Sequence, residues 1–250
     1  MLFTPLKTIV DVSLYQDNNA TPQGIDFVKM KTRTDEVIIR AGQRYWIDPD
    51  VAVNWANAKA AGLLRGSYWF YDSRETPQAQ AALWKQVIGN DLPERGLWVD
   101  LEEAYGGAYA GEANWKNFVE AVKLQFPNTL VGVYTGNWWW SLQVVSQTAY
   151  WQALPLWMAS YTSVETAIVP APWRTKGAVL WQYSSKGDGL LYGVESLSID
   201  LNYTSQAWND LFNVVVPPVE KKITDVNIKL ASGSVVTTMY SDGTSEIKTA

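Results

Sequence analysis

The sequence contains neither cysteine nor histidine. That excludes disulfides, thiol nucleophiles, Ser-His-Asp triads and zinc sites built on imidazole or thiolate. Any metal would need to be a hard cation on oxygen ligands, and acid–base chemistry falls to carboxyl groups. No apolar run approaches the ~20 residues that a membrane-spanning helix needs. The start, Met1-Leu2-Phe3-Thr4-Pro5-Leu6-Lys7, lacks the basic residues, apolar stretch and small-residue cleavage site of a secretory signal. The expectation is therefore either synthesis in a host cytoplasm with release by another route, or a signal already removed. Positive charge is scarce: 20 Lys and Arg against 25 Asp and Glu give a net charge of −5. With no basic cluster between the aromatic residues, nucleic acid is not expected as a partner.

What the chain has in abundance is aromatic surface, with 14 Trp and 13 Tyr in 250 residues. Such rings either fill a core or line a groove that stacks on sugars or another apolar-faced ligand. The length accommodates one large domain, or one domain and a small appendage.

Hydrophobic periodicity predicts strands at 9–14, 36–41, 65–71, 97–102, 130–134, 156–161, 178–183 and 197–201. Helices are expected at 24–31, from Asp48-Pro49-Asp50 to Gly62, from Thr76-Pro77 to Gly89, and at 112–126. Strand and helix alternate through the fifth strand, as parallel βαβ units do, and the last three strands follow largely without crossover helices. The fold class expected is α/β, an irregular (β/α)5β3 TIM-like barrel, with an open doubly wound sheet as the alternative. Residues 1–213 form this barrel. Residues 214–250 read as a linker, Val214 to Lys222, and a small β-meander with a tight turn at Asp242-Gly243. So small a meander is not stable alone; it is expected to dock, to pair with another chain through self-association, or to continue further.

The stretch around which the chain is organised is Leu97-Trp98-Val99-Asp100-Leu101-Glu102. In a strand Asp100 and Glu102 share one face, whereas Val99, Leu101 and Glu103 share the other. Two adjacent acids in an apolar segment repel, and at least one pKa should rise. In a barrel of this kind residues at the C-terminal ends of the strands face the active site, and Asp11, Asp100, Glu102 and Asp200 are all expected there, at the mouth. Asp11 and Asp200 are expected side by side on neighbouring first and last strands, across from the Asp100–Glu102 pair. Four carboxyls without a balancing basic cluster suit glycoside hydrolysis better than they suit a stable fold.

The chain resembles the glycoside hydrolase family 25 lysozymes, muramidases that include many phage endolysins. The motifs that carry the resemblance begin with Val10-Asp11-Val12-Ser13 and Gln16, then Val37-Ile38-Ile39-Arg40-Ala41, Ala60-Ala61-Gly62 and Gly66-Ser67-Tyr68. They continue with Val99-Asp100-Leu101-Glu102, Val133-Tyr134-Thr135, Leu156-Trp157-Met158-Ala159-Ser160-Tyr161, Trp181-Gln182-Tyr183 and Ile199-Asp200-Leu201-Asn202. They keep family order over residues 8–212. Two stretches depart from it. Gly42-Gln43-Arg44-Tyr45-Trp46 stands where an acidic turn is often found, and Trp138-Trp139-Trp140 matches no family motif.

The resemblance implies cleavage of the β-1,4 bond between N-acetylmuramic acid and N-acetylglucosamine in bacterial peptidoglycan, with no metal and no cofactor. Glu102 would be the general acid, Asp100 would assist attack by the substrate's own acetamido group, and Asp11 and Asp200 would set protonation and hold hydroxyls. Residues two apart on a strand lie roughly 6.5–7 Å apart at Cα. That spacing leaves open direct displacement, at ~5–5.5 Å between carboxyls, and the water-mediated inverting route, at ~6.5–9.5 Å. Tyr68, Phe70, Tyr134, Trp157, Tyr161 and Trp181 are the candidate groove aromatics, and Trp55, Trp84, Trp115 and Phe118 the candidate core ones. A phage or prophage lysin is the leading reading. A non-catalytic wall-glycan-binding module and a virion tail component are the alternatives.

Overall fold

The computed structural model describes residues 3–21, 24–102, 105–163 and 168–212, together with the strands at 223–229, 235–240 and 245–249. The expected linker, the Asp242-Gly243 turn and Glu103 lie outside the described residues.

Eight strands close into a barrel: β1 (Thr8–Val12), β2 (Glu36–Gln43), β4 (Leu64–Phe70), β5 (Leu97–Asp100), β6 (Val131–Gly136), β7 (Leu156–Ala159), β8 (Leu180–Asp188) and β9 (Ser198–Thr204). A two-residue strand, β3 (Trp46–Ile47), folds back on β2 as a hairpin that the sequence did not reveal. Closure comes from β1, which pairs parallel with β2 and antiparallel with β9. The barrel is thus parallel from β1 through β8, and the last strand runs the other way. This corrects one expectation: Asp200 sits near the start of its strand and not at its C-terminal end. The cause is the short β8–β9 connection. It holds no crossover helix, so the chain returns antiparallel and presents its first residues at the mouth.

The helices follow the end signals. Thr76 caps α3 (Pro77–Ile88), its hydroxyl accepting from the Ala79 N–H at 3.2 Å, and Gly89 ends the helix at φ 62°. Asp26 caps α1 (Phe27–Lys31), accepting from the Lys29 N–H at 2.9 Å. The helix α2 (Val51–Ala60) buries Val51, Trp55 and Ala58, and α4 (Glu112–Gln125) buries Trp115, Phe118, Val119 and Val122 against the strands. Two short helices not read from the sequence, α5 (Asn137–Trp140) and α6 (Thr148–Ala153), occupy the β6–β7 crossover, and α7 (Gln206–Phe212) follows β9.

Alternation on the strands separates two cores. Outward residues such as Val10, Ile39, Trp69, Val99, Val133, Met158 and Trp181 pack with the helices. Inward residues Ile9, Ile38, Trp98, Trp157 and Leu180 fill the lower barrel, and Trp208 of α7 stacks on Trp98 with ring centroids 5.5 Å apart. Gly132 makes this filling possible, because a Cβ there would clash with the Trp98 ring. Among the described residues these side chains fill the lower barrel and leave a cavity at its top.

By its contacts the chain divides into two units, Met1–Phe212 and Asn213–Ala250. The second is a three-stranded antiparallel sheet of β10 (Ile223–Lys229), β11 (Val235–Tyr240) and β12 (Ser245–Thr249).

Candidate active site

The open end of the barrel is a cavity of about 370 Å³ lined by Asp11, Asp100, Glu102 and Asp200, so all four acids face one space. Asp100 and Asp11 are almost fully buried. Leu101, between the fourth-strand acids, is buried among the outward residues, so Asp100 and Glu102 do share the inner face. β5 formally stops at Asp100, but its ladder continues: the Leu101 N–H donates to the Tyr134 carbonyl at 2.9 Å. The Thr135 hydroxyl donates to the Leu101 carbonyl at 2.6 Å, which fixes the backbone just before Glu102. In the strand ring β5 lies across from β1 and β9, where Asp11 and Asp200 are register partners.

Asp11 is the best-held acid. Its Oδ2 accepts from Asn202 Nδ2 at 2.8 Å and Gln182 Nε2 at 3.1 Å. Gln182 Oε1 in turn accepts from the hydroxyls of Tyr134 and Tyr161, each at 2.9 Å, and Asn202 Oδ1 accepts from the Trp157 indole at 2.7 Å. A buried polar network of this kind is stable only when each member is satisfied, and this one orients Asp11 rigidly. By contrast, Asp100 Oδ1 and Glu102 Oε2 are buried without a hydrogen-bond partner among the described residues. An unpartnered buried carboxyl oxygen costs about 1–3 kcal/mol or more, so its placement calls for a function.

Burial drives the protonation states. It lifts Glu102 to about 7, with the Asp11 charge adding to the rise. Burial and then Asp11 lift Asp200 to about 8. Asp100 is pushed well up by burial and by Glu102, with Arg40 opposing. Asp11 rises only to about 6, because Asn202, Gln182 and Asp200 donate hydrogen bonds to its charged form. Near neutrality Asp11 is thus the anion of the group while Glu102 is poised between its two forms.

Of the expected groove aromatics, Tyr68, Phe70, Tyr134, Trp157 and Tyr161 line the cavity. Trp181 does not. It is 1% exposed on the outer face of β8, packs on Phe3 and Tyr203, and donates its indole N–H to the Ser160 carbonyl. Strand parity explains this: Leu180 and Gln182 point inward, so Trp181 between them points out. Trp55, Trp84, Trp115 and Phe118 are buried, as expected of core residues. Gln182, Asn202 and Arg40 stand in the motifs quoted above, and the structure adds them to the site. The signal available was parity: each lies an even number of positions from an inward residue.

Family comparison agrees with this geometry. The pattern of the glycosyl hydrolases family 25 matches residues 10–190. The chain belongs to this family. Its barrel is similar to solved structures of a bacterial lysozyme from Streptomyces coelicolor (23% identity, 82% of this chain and 95% of that one, TM-score 0.63) and a muramidase from Acremonium alcalophilum (20%, 83% and 99%, TM-score 0.65). It is also similar to the catalytic domain of an endolysin from a Listeria monocytogenes bacteriophage (19%, 85% and 97%, TM-score 0.60). At these identities the likeness establishes the fold. No curated protein matches the chain. Family membership makes the protein a glycoside hydrolase, and no helix among its described residues is long and apolar enough to cross a membrane.

Proposed function

We propose that this family 25 hydrolase is an N-acetylmuramidase acting on bacterial peptidoglycan, of the kind phages and prophages use as lysins. The observation that carries the reading is the pair of carboxyls of Asp100 and Glu102, each with a buried, unpartnered oxygen, lining one aromatic-lined cavity. Solved relatives described as lysozyme, muramidase and endolysin share the barrel and support the choice of substrate.

In this reading protonated Glu102 gives its proton to the glycosidic oxygen as the bond to the anomeric carbon breaks. The carbonyl oxygen of the substrate's own acetamido group closes on that carbon, and the Asp100 carboxyl accepts the acetamido N–H and orients the group for attack. Water then attacks the anomeric carbon as its bond to the acetamido oxygen breaks and the electron pair returns to the acetamido group; the water yields its proton to the Glu102 carboxylate, which restores the starting state. Asp11, held by Asn202 and Gln182, and Asp200, hydrogen-bonded to Asp11, keep the cluster at the charge this sequence needs. Asp100→Asn should be nearly as damaging as Glu102→Gln, and Asp11→Asn milder.

The test is digestion of purified peptidoglycan by the wild type and by Glu102→Gln, with mass spectrometry of the released fragments. Fragments with muramic acid at the reducing end, lost in the variant, are expected. Glucosamine at the reducing end would overturn the bond assignment. No release from several wall types would turn the reading towards a glycan-binding module.

A further inference from the structure

The three successive tryptophans of α5 are not used by the proton chemistry. Successive side chains on a helix splay by about 100°, so three large rings in a row cannot share one environment. Trp140 is 2% exposed and donates its indole N–H to the Ala171 carbonyl at 2.6 Å. Trp139 packs on the outer core beside Trp115. Trp138 is left 50% exposed.

An outward tryptophan with a loose ring would carry no argument, but this ring is held. It lies against Gly136, the last residue of β6, where a Cβ would come within 2.5 Å of two indole atoms. Its other neighbour is Tyr161, with centroids 5.5 Å apart and planes inclined by 34°. Tyr161 lines the cavity, is itself 49% exposed, and is anchored through its hydroxyl to Gln182. Two half-exposed rings therefore run from the cavity mouth outward, each fixed on one side and open on the other.

We propose that Trp138, continuing the Tyr161 ring, is an outlying sugar-stacking platform. It takes the C–H face of a hexosamine beyond the two sugars that flank the cleaved bond, and the proposal rests on the glycan-hydrolase reading above. A pyranose ring presents an apolar face of axial C–H groups that matches an indole in size. Stacking needs no hydrogen-bond geometry, so it suits a strand whose substituents vary from one sugar to the next. A protein partner fits less well, because a stable interface needs about 800 Å² from each side, and here the held aromatic surface is two half-exposed rings beside a polar cleft. The site therefore adds length preference to the hydrolase without touching the reacting atoms.

The experiment uses the full chain carrying Glu102→Gln, so that glycan binds without turnover. Peptide-free glycan strands of two, four, six and eight sugars, prepared from peptidoglycan, are titrated by calorimetry. The same titrations are run on Glu102→Gln/Trp138→Ala and Glu102→Gln/Trp138→Tyr. The expected result is a loss that grows with length, reaching about tenfold in Kd for the longest strands in the alanine variant, with most of it restored by tyrosine. Equal affinities for all three proteins at all lengths would overturn the platform while leaving the glycan-hydrolase reading intact. A uniform loss that already includes the disaccharide would overturn it too, since Trp138 would then act through Tyr161 on the central site. If the Glu102→Gln background binds no strand of any length, the peptidoglycan muramidase reading itself fails and the platform with it.

Discussion

Two clusters of ionisable side chains in this barrel obey opposite rules. Between β4 and α2, the fully buried guanidinium of Arg65 bonds Asp91 at 2.8 Å and Glu94 at 2.8 Å and sits over the Trp55 ring at 4.3 Å. The hydrogen bonds of Arg65, then those of Lys59, hold Asp91 far below the usual carboxylate range. Glu94 also falls, the bonds from Arg65 outweighing its burial. At the mouth, four acids share a cavity with Arg40 as the one cation among the described lining residues, and each of the four rises. Equal numbers of charges would have made the mouth a second structural ion pair. The imbalance keeps protons at the mouth that can be given away, and a balanced cluster gives none.

Breaking each cluster should therefore produce opposite phenotypes. Glu102→Gln is expected to lower kcat by about 10²–10⁴-fold, the range a general acid supplies, with the far-ultraviolet circular dichroism spectrum unchanged. Arg65→Met should leave the activity of the folded protein near wild type and lower stability by about 3 kcal/mol in urea titration. That estimate is at the low end for a broken buried pair because Asp91 and Glu94 are 40% and 36% exposed and can be rehydrated. Large activity loss in the Arg65 variant, or large unfolding in the Glu102 one, would erase the distinction.

The same contrast appears in pH. The folded value of Glu102, about 7, lies above its ordinary 4.5, so folding favours its protonated form. Its contribution to stability is complete below about pH 4.5 and is lost as pH rises through 7. Glutamine carries no such penalty. Glu102→Gln should thus raise stability at pH 8 by on the order of 3 kcal/mol, several degrees in Tm, and by little at pH 4. In the wild type, kcat/KM should fall as pH rises through about 7, when Glu102 loses its proton, and as pH falls through about 6, when Asp11 gains one.

Much of this architecture is legible in the sequence because strand parity and helix ends are local signals. Asp100 and Glu102 two apart, and Thr76-Pro77 with Gly89 closing α3, are read without tertiary information. The direction of β9 is not local. Residues 197–201 look the same whichever way they run, and only the short connection from β8 decides it. An aromatic residue lines the groove only where strand parity turns it inward, and parity turns Trp181 out. The β3 hairpin and the α5 and α6 turns are too short to show a period. Glutamine and asparagine carry no charge to flag them, so Gln182 and Asn202 became visible only when three strands brought them to Asp11.

Gln182 offers the finest test of the contrast, because it acts on the mouth without carrying charge. Replacing it with leucine keeps the volume, removes one of the two amide donors to Asp11, and strips the acceptor from the Tyr134 and Tyr161 hydroxyls. Asp11 then keeps only the Asn202 amide and the Asp200 carboxyl, so its anion is less favoured and its pKa should climb above about 6. The acid limb of the kcat/KM profile should move upward, costing about tenfold at most near pH 5 and little at the optimum. The alkaline limb belongs to Glu102, whose rise comes first from its own burial, and should stay in place. A rate lowered equally at all pH values would assign Gln182 to packing. A shift of the acid limb alone would make it a positioning residue that acts through Asp11.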